Sequence, residues 1–572
     1  MKTLRLMTAA IAASLSLAMA AQVNDTELPD PNPADPGAWT AVKAVSLGWG
    51  STDIRYSRSL PATTSSKAVC LDAWRGERVS AQAVLCTPVD IKSVSMSVSD
   101  LKCGRNIIPA SAATEYFVRY VIAEAGIGRK DEAILSADRL DPAESMAVDA
   151  CTSRPLWIEF KVPAQTVPGL YKGRLNVDCD GTVLTLPLQI RVSSNVLPEP
   201  SEWAFHLDLW QNPYAVARYY EVPLWSREHF DLMRPLYRQL ADAGCKVATA
   251  SIIQHPWNSQ TQDPFESMIA KMKQVDGTWK YDYTVFDKWV SFIMSCGIDE
   301  QLDCYTLVPW HYKFDYYDCA TNSVKYVECK PQEQAYRDLI LPFLKDFAAH
   351  LKARGWFDIT CIAMDERPME QMNAALAIVK EADPGFRIEG AANYSVDSHE
   401  AGNIYDMSVA YQFDLLTPEA LGHRHAAGQK LTFYTCCSPD RPNTFTFSDP
   451  AESALLGWHA AAVGYDGYLR WAYNSWTEQP NQDSRYFAKN WPSGDCYLVY
   501  PGGSSIRFER LVEGIQDYEK IRLIRENGTE AQKAAVEEVL ARYFAANKFA
   551  DTDDAADLVA KGRKVLLSVQ GK

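Results

Sequence analysis

The sequence lacks the features that mark membrane, nucleic-acid or nucleotide binding. After residue 20, no apolar run approaches the roughly 20 residues that a membrane-spanning helix needs. There is no Lys/Arg-rich segment or RNA-binding signature, and the net charge of -15 disfavours anionic partners such as nucleic acid. No Gly-rich loop with a following Lys-Ser/Thr marks a phosphate site, and no Gly-x-Ser-x-Gly elbow marks a serine hydrolase. A neutral small molecule or a glycan is therefore the favoured ligand.

Metal-binding patterns are also missing. The 14 Cys are scattered through 572 residues without a Cys-x-x-Cys pair or a regular Cys/His array. A chain of this length can build a large core, so most of these cysteines are expected to be small apolar side chains. Cys319 and Cys329 bracket a loop that a disulfide could close, and the vicinal pair Cys436-Cys437 could bind a metal or form a strained disulfide. We predict no metal and no cofactor.

Residues 1–20 have the composition of a signal peptide. Lys2 and Arg5 precede an apolar segment from Leu6 to Met19, which ends in the small-residue motif Ala18-Met-Ala20. Residues 21–39 are then expected to form a flexible leader. No Cys directly follows the apolar segment, since the first is Cys70, so a lipid anchor is not indicated. We expect an exported protein, either periplasmic or secreted.

The length of the chain exceeds what one core usually supports, so more than one domain is expected. Short alternating strands separated by polar turns predict a β-sandwich over residues 40–200, closed by the stiff linker Leu197–Ser201. Strands then alternate with helices, which predicts a (β/α)8 TIM-like barrel over residues 201–505, followed by a C-terminal helical region over 506–572. The predicted barrel strands are Phe205–Leu209, Val247–Ser251, Leu302–Leu307, Thr360–Met364, Phe386–Gly390, Met407–Tyr411, Leu431–Thr435 and Gly467–Trp471.

The fourth predicted barrel strand ends in two adjacent carboxylates, Asp365 and Glu366. The active sites of such barrels lie at the C-terminal ends of the strands. Acidic residues are rarely buried unpaired, so two together at a strand end need solvent, a partner or a substrate. Asp131-Glu132 and Asp299-Glu300 are similar pairs in ordinary surface turns, so the strand context carries the signal. A solvated turn is the alternative interpretation.

Aromatic and amide side chains collect at the other strand ends, which should converge on one pocket. Such a polar and aromatic set is typical of a sugar site, although each tryptophan could equally fill the core. The predicted substrate contacts are Trp210, Asn393, Tyr394, Tyr411, Gln412, Tyr434, Trp471, Asn474 and Trp476. The same strand ends also offer His206, Asp208, Trp257 and Trp310.

A resemblance to a known family rests on four segments. They are Val167–Gly173, Met364-Asp-Glu-Arg-Pro368, Gly467–Trp476 and Arg507–Glu519. Together they resemble glycoside hydrolase family 123, the exo-acting β-N-acetylgalactosaminidases, over most of the chain after residue 20.

The resemblance implies a retaining, substrate-assisted glycosidase that acts on glycans with a terminal β-linked 2-acetamido sugar. The acetamido oxygen would attack the anomeric carbon and form an oxazolinium ion. Glu366 would be the general acid and base, and Asp365 would hold the acetamido N–H. By position and chemical type, Asn393, Tyr394, Tyr411 and Gln412 could contact the acetamido group, Trp471, Asn474 and Trp476 the sugar face and hydroxyls, and Trp210 the wall of the pocket.

Two alternative functions remain open at the level of sequence. The β-hexosaminidases of family 20 also use an adjacent Asp-Glu pair on a barrel and would prefer glucosamine-type substrates. A non-catalytic glycan-binding surface protein would use the sandwich and the aromatic residues without turnover. The sequence leaves the natural glycan and the oligomeric state undefined.

Overall fold

The computed structural model describes residues 26–257, 260–392, 401–411, 417–545 and 554–568. The predicted signal peptide and the predicted contacts Asn393, Tyr394 and Gln412 lie outside these residues. Within them, no helix has the length and apolarity required to cross a bilayer.

The N-terminal part is a β-sandwich, as predicted. Its strands are β1 (Ser46–Trp49), β2 (Val69–Arg75), β3 (Arg78–Thr87), β4 (Ile91–Val98), β5 (Leu101–Cys103), β6 (Asn106–Ile108), β7 (Ala113–Glu124), β8 (Ala133–Asp141), β9 (Ser145–Val148), β10 (Thr152–Lys161), β11 (Gly169–Cys179) and β12 (Thr182–Val196). One sheet has the order β1-β3-β10-β7-β8, and the other has the order β2-β12-β11-β4-β9, with β5 and β6 at its side. Alternate residues of both sheets, such as Leu156, Ile158, Leu175 and Val177, form one apolar core.

The predicted hairpin of the sandwich is formed by β11 and β12. Asp180 and Gly181 at its tip have φ of 50° and 88°, the left-handed conformation that a two-residue hairpin turn requires. Asp178 stabilises the turn because its Oδ1 accepts a hydrogen bond from the Gly181 N–H at 2.6 Å.

The described part of the predicted leader packs on the sandwich. Glu27 pairs with Arg154, with a distance of 2.6 Å between Oε1 and Nη1, and Trp39 is buried. Glu27 also pairs with Arg58 at 3.2 Å, so residues 26–39 are anchored to the sandwich by the ion pairs of Glu27 and by the Trp39 side chain.

The second part is a TIM-like barrel of eight parallel strands. They are β13 (His206–Leu209), β14 (Val247–Ser251), β17 (Gln301–Tyr305), β20 (Thr360–Met364), β21 (Arg387–Ala392), β22 (Asp406–Ala410), β23 (Lys430–Tyr434) and β24 (Gly467–Arg470). Two hairpins are inserted at its rim, β15 (Ala270–Lys273) with β16 (Trp279–Asp282) and β18 (Lys313–Asp318) with β19 (Ser323–Glu328). All eight predicted barrel strands are present within two residues of their predicted bounds.

The barrel closes at a seam between β13 and β14 that is partly made by a side chain. Only one backbone hydrogen bond, from Lys246 N–H to Leu207 O at 3.0 Å, joins the lower ends of these strands in the described residues. Above it, the Gln211 amide donates to Leu209 O and Val247 O and accepts from the Thr249 N–H at 2.8 Å. Gln211 thus replaces part of the missing ladder.

Helices cover the outside of the barrel. They are α1 (Pro213–Tyr219), α2 (Arg227–Ala241), α3 (Thr284–Ser295), α4 (Gln334–Arg354), α5 (Met369–Ala382), α6 (Pro418–Ala426), α7 (Pro450–Val463), α8 (Ile506–Asn527), α9 (Glu530–Ala545) and α10 (Ala555–Ser568). Helix α8 follows β24 and is almost entirely buried, so it is the eighth helix of the barrel. It crosses α7 where Gly514 lies against Gly457, and a Cβ on either glycine would overlap the backbone of the other helix.

The sandwich and the barrel share buried contacts. The short strand β25 (Ser504–Ser505) extends the first sandwich sheet by pairing with β8. Next to it, Arg507 Nε lies 2.8 Å from Asp138 Oδ2, and both side chains are fully buried. Domain bounds placed at residues 200 and 505 stay predictions, and the structure connects the regions on either side of them closely.

Candidate active site

The acid pair lies where β20 opens into the loop before α5. Thr360–Met364 are all buried, whereas Asp365 and Glu366 are partly exposed. Pro368 then caps α5 and turns the chain away. Two neighbouring residues of a regular strand would face opposite sides, but here the strand has ended, and both carboxyl groups reach one cavity.

Asp365 is held by two N–H donors and lies near a cation. Its Oδ2 accepts from Trp310 Nε1 at 2.7 Å, and its Oδ1 accepts from the Glu366 N–H at 2.8 Å. The Arg367 guanidinium stacks on Trp310 at 4.7 Å from the ring centre. Burial raises the pKa of Asp365, and the two hydrogen bonds and the charge of Arg367 oppose that rise.

Glu366 has a different environment. Its Oε1 accepts a hydrogen bond from the Tyr434 hydroxyl. Burial raises the pKa of Glu366, the Tyr434 hydrogen bond opposes the rise, and the neighbouring charge of Asp365 adds to it. Asp365 therefore has more groups that favour its charged form, and Glu366 has a neighbour that favours protonation.

The two acids open into a cavity of about 150 Å³ at the C-terminal ends of the barrel strands, here called the strand-end cavity. It is lined by Trp210, Trp257, Gln260, Trp310, Asp365, Glu366, Ala391, Tyr434, Cys436, Cys437, Leu469, Trp471, Trp491 and Asp495. Trp210 and Trp257 are stacked with ring centres 5.0 Å apart, and Trp471 meets Trp491 edge to face at 5.9 Å. Flat aromatic walls around two acids suit a ring-shaped polar ligand with apolar faces.

A third carboxyl group, that of Asp495, also lines the strand-end cavity. Its Oδ1 accepts from Arg470 Nη2 at 2.8 Å and from Trp471 Nε1 at 3.2 Å. Its Oδ2 is buried and has no hydrogen-bond partner among the described residues. Asp495 therefore offers one free acceptor oxygen beside Trp471.

The vicinal cysteines are free thiols in the cavity wall. Cys436 Sγ and Cys437 Sγ are 3.9 Å apart, and both follow the end of β23. Cys319 and Cys329 are free as well, so the disulfide considered from the sequence is not formed.

The structure brings five of the predicted site residues together. Asp365, Glu366, Trp210, Tyr434 and Trp471 all line the strand-end cavity. Asn393, Tyr394 and Gln412 stay predictions because they lie outside the described residues.

Three other predicted contacts do not line the cavity. The Asn474 amide accepts from the Asn212 N–H at 2.9 Å and donates to Asn212 O at 2.8 Å, so it fixes the start of α1. Trp476 is buried and donates to Val499 O at 2.8 Å. Tyr411 packs against Phe433 and His459 on the outer face of the sheet.

Several cavity residues were not among the predicted contacts. Trp257 and Trp310 follow β14 and β17, so their strand-end position was a usable signal. Gln260, Trp491 and Asp495 belong to loops, and no local pattern in the sequence assigns them to the site. In the described residues, Asp208, Asp303 and Glu389 are the group with the spacing of a cation site, and they lie inside the barrel below the cavity.

Comparisons with known proteins agree with this architecture. The glycoside hydrolase 123 catalytic-domain model matches residues 210–524, and the glycoside hydrolase 123 N-terminal-domain model matches residues 49–179. A family 123 glycoside hydrolase from Clostridium perfringens, solved to study glycolipid glycan hydrolysis, is 26% identical with a TM-score of 0.84, over 92% of this chain and 97% of that one.

Two other solved structures are much less similar and carry no argument. A GH10 xylanase with a bacterial Ig-like domain from termite gut is 10% identical with a TM-score of 0.32, over 79% of this chain and 100% of that one. The GH20 exo β-N-acetylglucosaminidase from Vibrio harveyi is 9% identical with a TM-score of 0.21, over 69% of this chain and 82% of that one. No curated protein sequence matches the chain significantly. Since the catalytic-domain match alone spans more than half of the chain, the protein belongs to glycoside hydrolase family 123 and is a glycoside hydrolase.

Proposed function

We propose that the protein is a retaining exo-β-N-acetylgalactosaminidase that removes terminal β-linked N-acetylgalactosamine from glycans by substrate-assisted catalysis. The observation that carries the proposal is the adjacent pair Asp365 and Glu366, which opens into one aromatic cavity with each acid in a different environment. Family membership supports glycoside hydrolysis, and the resemblance to the β-N-acetylgalactosaminidases of family 123 suggests the galacto sugar.

Glu366 is the proposed general acid and base. It would protonate the departing glycosidic oxygen and later take a proton from the attacking water. This role needs a carboxyl group that holds its proton near the working pH, which burial and the charge of Asp365 favour by raising the pKa of Glu366.

Asp365 is the proposed partner of the acetamido group. Held by Trp310 and by the Glu366 N–H, it would accept a hydrogen bond from the acetamido N–H. Its negative charge would stabilise the positive charge that develops on the oxazolinium ion. The sugar's own acetamido oxygen forms the bond to the anomeric carbon, so the mechanism needs no protein nucleophile. Acids on neighbouring residues suit this scheme better than the usual pair of carboxyl groups on opposite sides of the bond.

The remaining walls would bind the sugar ring. Trp210 and Trp471 offer aromatic faces, and Asp495 Oδ2 offers an acceptor for a sugar hydroxyl. Asn393, Tyr394 and Gln412 stay proposed contacts to the acetamido group.

The proposal is tested with aryl β-N-acetylgalactosaminide, aryl β-N-acetylglucosaminide and aryl β-galactoside, assayed with the wild type and with Glu366→Gln. We expect turnover of the galacto substrate, no turnover without the acetamido group, and a loss of at least about 100-fold in Glu366→Gln, in line with the usual contribution of general acid catalysis. Glu132→Gln is the matched control, since Glu132 follows Asp131 in an exposed turn and its ion pair in the described residues is with Arg129.

Each outcome has a distinct consequence. A clear preference for the gluco substrate would replace the galacto assignment with a hexosaminidase activity. Turnover of the plain galactoside at a similar rate would overturn the substrate-assisted mechanism. Proton NMR of the first-formed sugar should show the β-anomer, and an initial α-anomer would contradict retention.

Export remains part of the proposal. Residues 1–20 predict a cleaved signal peptide. The mature protein recovered from the periplasm or the medium should therefore have an N-terminus that begins after residue 20, as N-terminal sequencing would show.

A further inference from the structure

The middle of the barrel contains three carboxyl groups at one level. Asp208 on β13, Asp303 on β17 and Glu389 on β21 come from alternate strands around the barrel, as the members of one interior layer do. Such layers usually consist of bulky aliphatic side chains. Here the side chains are 3%, 0% and 1% exposed, so three acids occupy the place of a dry core. These three residues are called the carboxyl layer below.

Each acid of the carboxyl layer has one oxygen fixed by a donor. Trp210 Nε1 donates to Asp208 Oδ2 at 3.2 Å, Gln301 Nε2 donates to Asp303 Oδ1 at 3.0 Å, and the Tyr305 hydroxyl donates to Glu389 Oε2 at 2.8 Å. An outer donor on one oxygen is how proteins orient carboxylates that bind a metal with the other oxygen.

The other carboxyl oxygen of each acid has no hydrogen-bond donor among the described residues. Asp208 Oδ1, Asp303 Oδ2 and Glu389 Oε1 are buried and have no hydrogen-bond partner among the described residues. The same is true of Thr249 Oγ1, and Thr249 is the register partner of Asp303, so its side chain lies on the same interior face. Buried acceptors without partners destabilise a fold, so three carboxyl oxygens in one layer, with a hydroxyl on the same face of an adjacent strand, call for a ligand.

Lys430 is linked to a fourth acid, Asp406, through His206. Lys430 Nζ donates to His206 Nδ1 at 2.8 Å, and His206 Nε2 then donates to Asp406 Oδ2 at 2.7 Å. Because Lys430 can only donate, this chain leaves His206 with its proton on Nε2. Among the described residues, no Lys, Arg or His forms an ion pair with the carboxyl layer.

The spacing of the carboxyl layer fits one ion. One oxygen from each of the three acids lies within 4.8 Å of the others. Two oxygens that bind the same Ca²⁺ at about 2.3–2.6 Å can be at most about 5 Å apart. The three acids and the Thr249 hydroxyl offer hard oxygen ligands, which favour calcium or magnesium.

We propose that the carboxyl layer, Asp208, Asp303 and Glu389 with the nearby Thr249 hydroxyl, binds one hard divalent cation, calcium or magnesium, inside the barrel. The ion replaces the apolar core of that layer and balances most of the charge of its three carboxylates. It also supports the strand-end cavity, because Asp208 binds Trp210 and Tyr305 packs on Trp210 and Trp257 at 4.4 and 5.1 Å.

The test begins with the metal content of the full-length protein. Elemental analysis of protein dialysed against calcium or magnesium, then freed of excess ion, should find about one equivalent of one of them per chain. The midpoint of thermal unfolding should fall when EDTA removes the ion and recover when the same ion is added back.

Variants then locate the ion. Asp303→Asn should lose the bound equivalent of metal, and its unfolding midpoint should no longer respond to EDTA or to added ion. If Asp303→Asn does not fold, Thr249→Val replaces it in the test and should bind the ion more weakly. Glu452→Gln is the matched control, because Glu452 is a similarly buried acid that lies outside the barrel interior and pairs with Arg441. This variant should keep the bound metal and the response of its unfolding midpoint. Protein without bound ion and with the same midpoint in EDTA, calcium and magnesium would overturn the proposal and leave protons as the charges that balance the layer. A full response retained in Asp303→Asn would place the ion elsewhere and overturn it as well.

Discussion

At the scale of the residue, the hydrogen bond from Tyr434 to Glu366 should set the pH range of the enzyme. This bond lowers the pKa of Glu366, so Tyr434→Phe should raise it. Catalysis fails at alkaline pH when the general acid loses its proton, and a higher pKa therefore moves the alkaline limb of kcat/KM to higher pH. Tyr326→Phe, at an exposed position of β19, should leave the limb in place. An alkaline limb that is unchanged or moves to lower pH in Tyr434→Phe would show that Glu366 is not the titrating acid.

A second residue-scale prediction concerns Asp495. Asp495 lines the strand-end cavity and its Oδ2 has no partner among the described residues, so we expect it to accept a sugar hydroxyl when substrate binds; hydrogen bonds to charged groups contribute about 1.5–3 kcal/mol. Asp495→Asn should therefore lower kcat/KM by about 10- to 150-fold. Substrates lacking one hydroxyl at a time provide the control, since the penalty of Asp495→Asn should disappear for the deoxy sugar that lacks the contacted group. An equal penalty for every deoxy sugar would assign Asp495 a structural role through Arg470.

The position of a residue at a strand end places some of the predicted site residues in the cavity and not others. Asp365, Tyr434 and Trp471 were found because parallel strands end at one edge of the barrel, and side chains there meet. Asn474 and Trp476 also follow a strand, but the chain has turned by then, and their polar atoms bind Asn212 and Val499. Position along the chain predicts the edge of the sheet, whereas the direction of a side chain depends on contacts with distant segments. Trp491 and Asp495 show the same limit, because a long loop returns them to the cavity.

At the scale of the element, hydrophobic runs located the barrel strands well. These strands are buried almost throughout, as expected for parallel strands covered on the outside by helices, although polar residues such as Asp208, Asp303 and Glu389 interrupt their apolar residues. The hairpin β18–β19 was missed because most of its side chains are exposed or half-buried and do not alternate clearly. Helix α1 was missed because it has only 7 residues, and its start depends on the Asn212 cap and on Pro213. The carboxyl layer was also hidden, since its three acids are distant in sequence.

The seam of the barrel gives an element-scale prediction. Gln211 closes the gap between β13 and β14 with three hydrogen bonds, and its side chain is fully buried. Gln211→Ala should leave backbone groups of both strands unpaired and lower the free energy of unfolding by about 1–3 kcal/mol. Gln332→Ala, at an exposed position just before α4, is the control and should change it by less than about 0.5 kcal/mol. Urea unfolding monitored by tryptophan fluorescence measures both. Equal stability of the two variants would mean that water or the backbone of the adjacent strands replaces the hydrogen bonds of the Gln211 amide.

At the scale of the whole molecule, the anchored N-terminal segment should make stability depend on acid pH. Arg154 and the Tyr120 N–H overcome the effect of burial and lower the pKa of Glu27 from 4.5 to about 2. A folded pKa below the unfolded value stabilises the protein above about pH 4.5, and this contribution of about 3 kcal/mol is lost as the pH falls towards 2. Glu27→Gln should lower stability at neutral pH and reduce the loss between these two pH values. Unfolding free energies measured across this range test it, and parallel curves for variant and wild type would contradict it.

The sandwich and the barrel should unfold as one unit because they share a buried ion pair. Asp138 on β8 binds Arg507 on α8, accepts from Tyr500 and also pairs with Arg55 of its own part, so the buried charge of Arg507 depends on the sandwich. Asp138→Asn leaves the Arg507 guanidinium buried beside a neutral amide, and breaking such a pair costs about 3–5 kcal/mol. Adding Arg507→Met should recover part of that loss, because the unpaired charge is then removed. Asp72→Asn, which breaks the exposed pair with Arg191, should cost less than about 1 kcal/mol. If the losses of Asp138→Asn and Arg507→Met simply add in the double variant, the pair does not couple the two parts, and the sandwich would have to stabilise the barrel through the apolar contacts and the β8–β25 pairing alone.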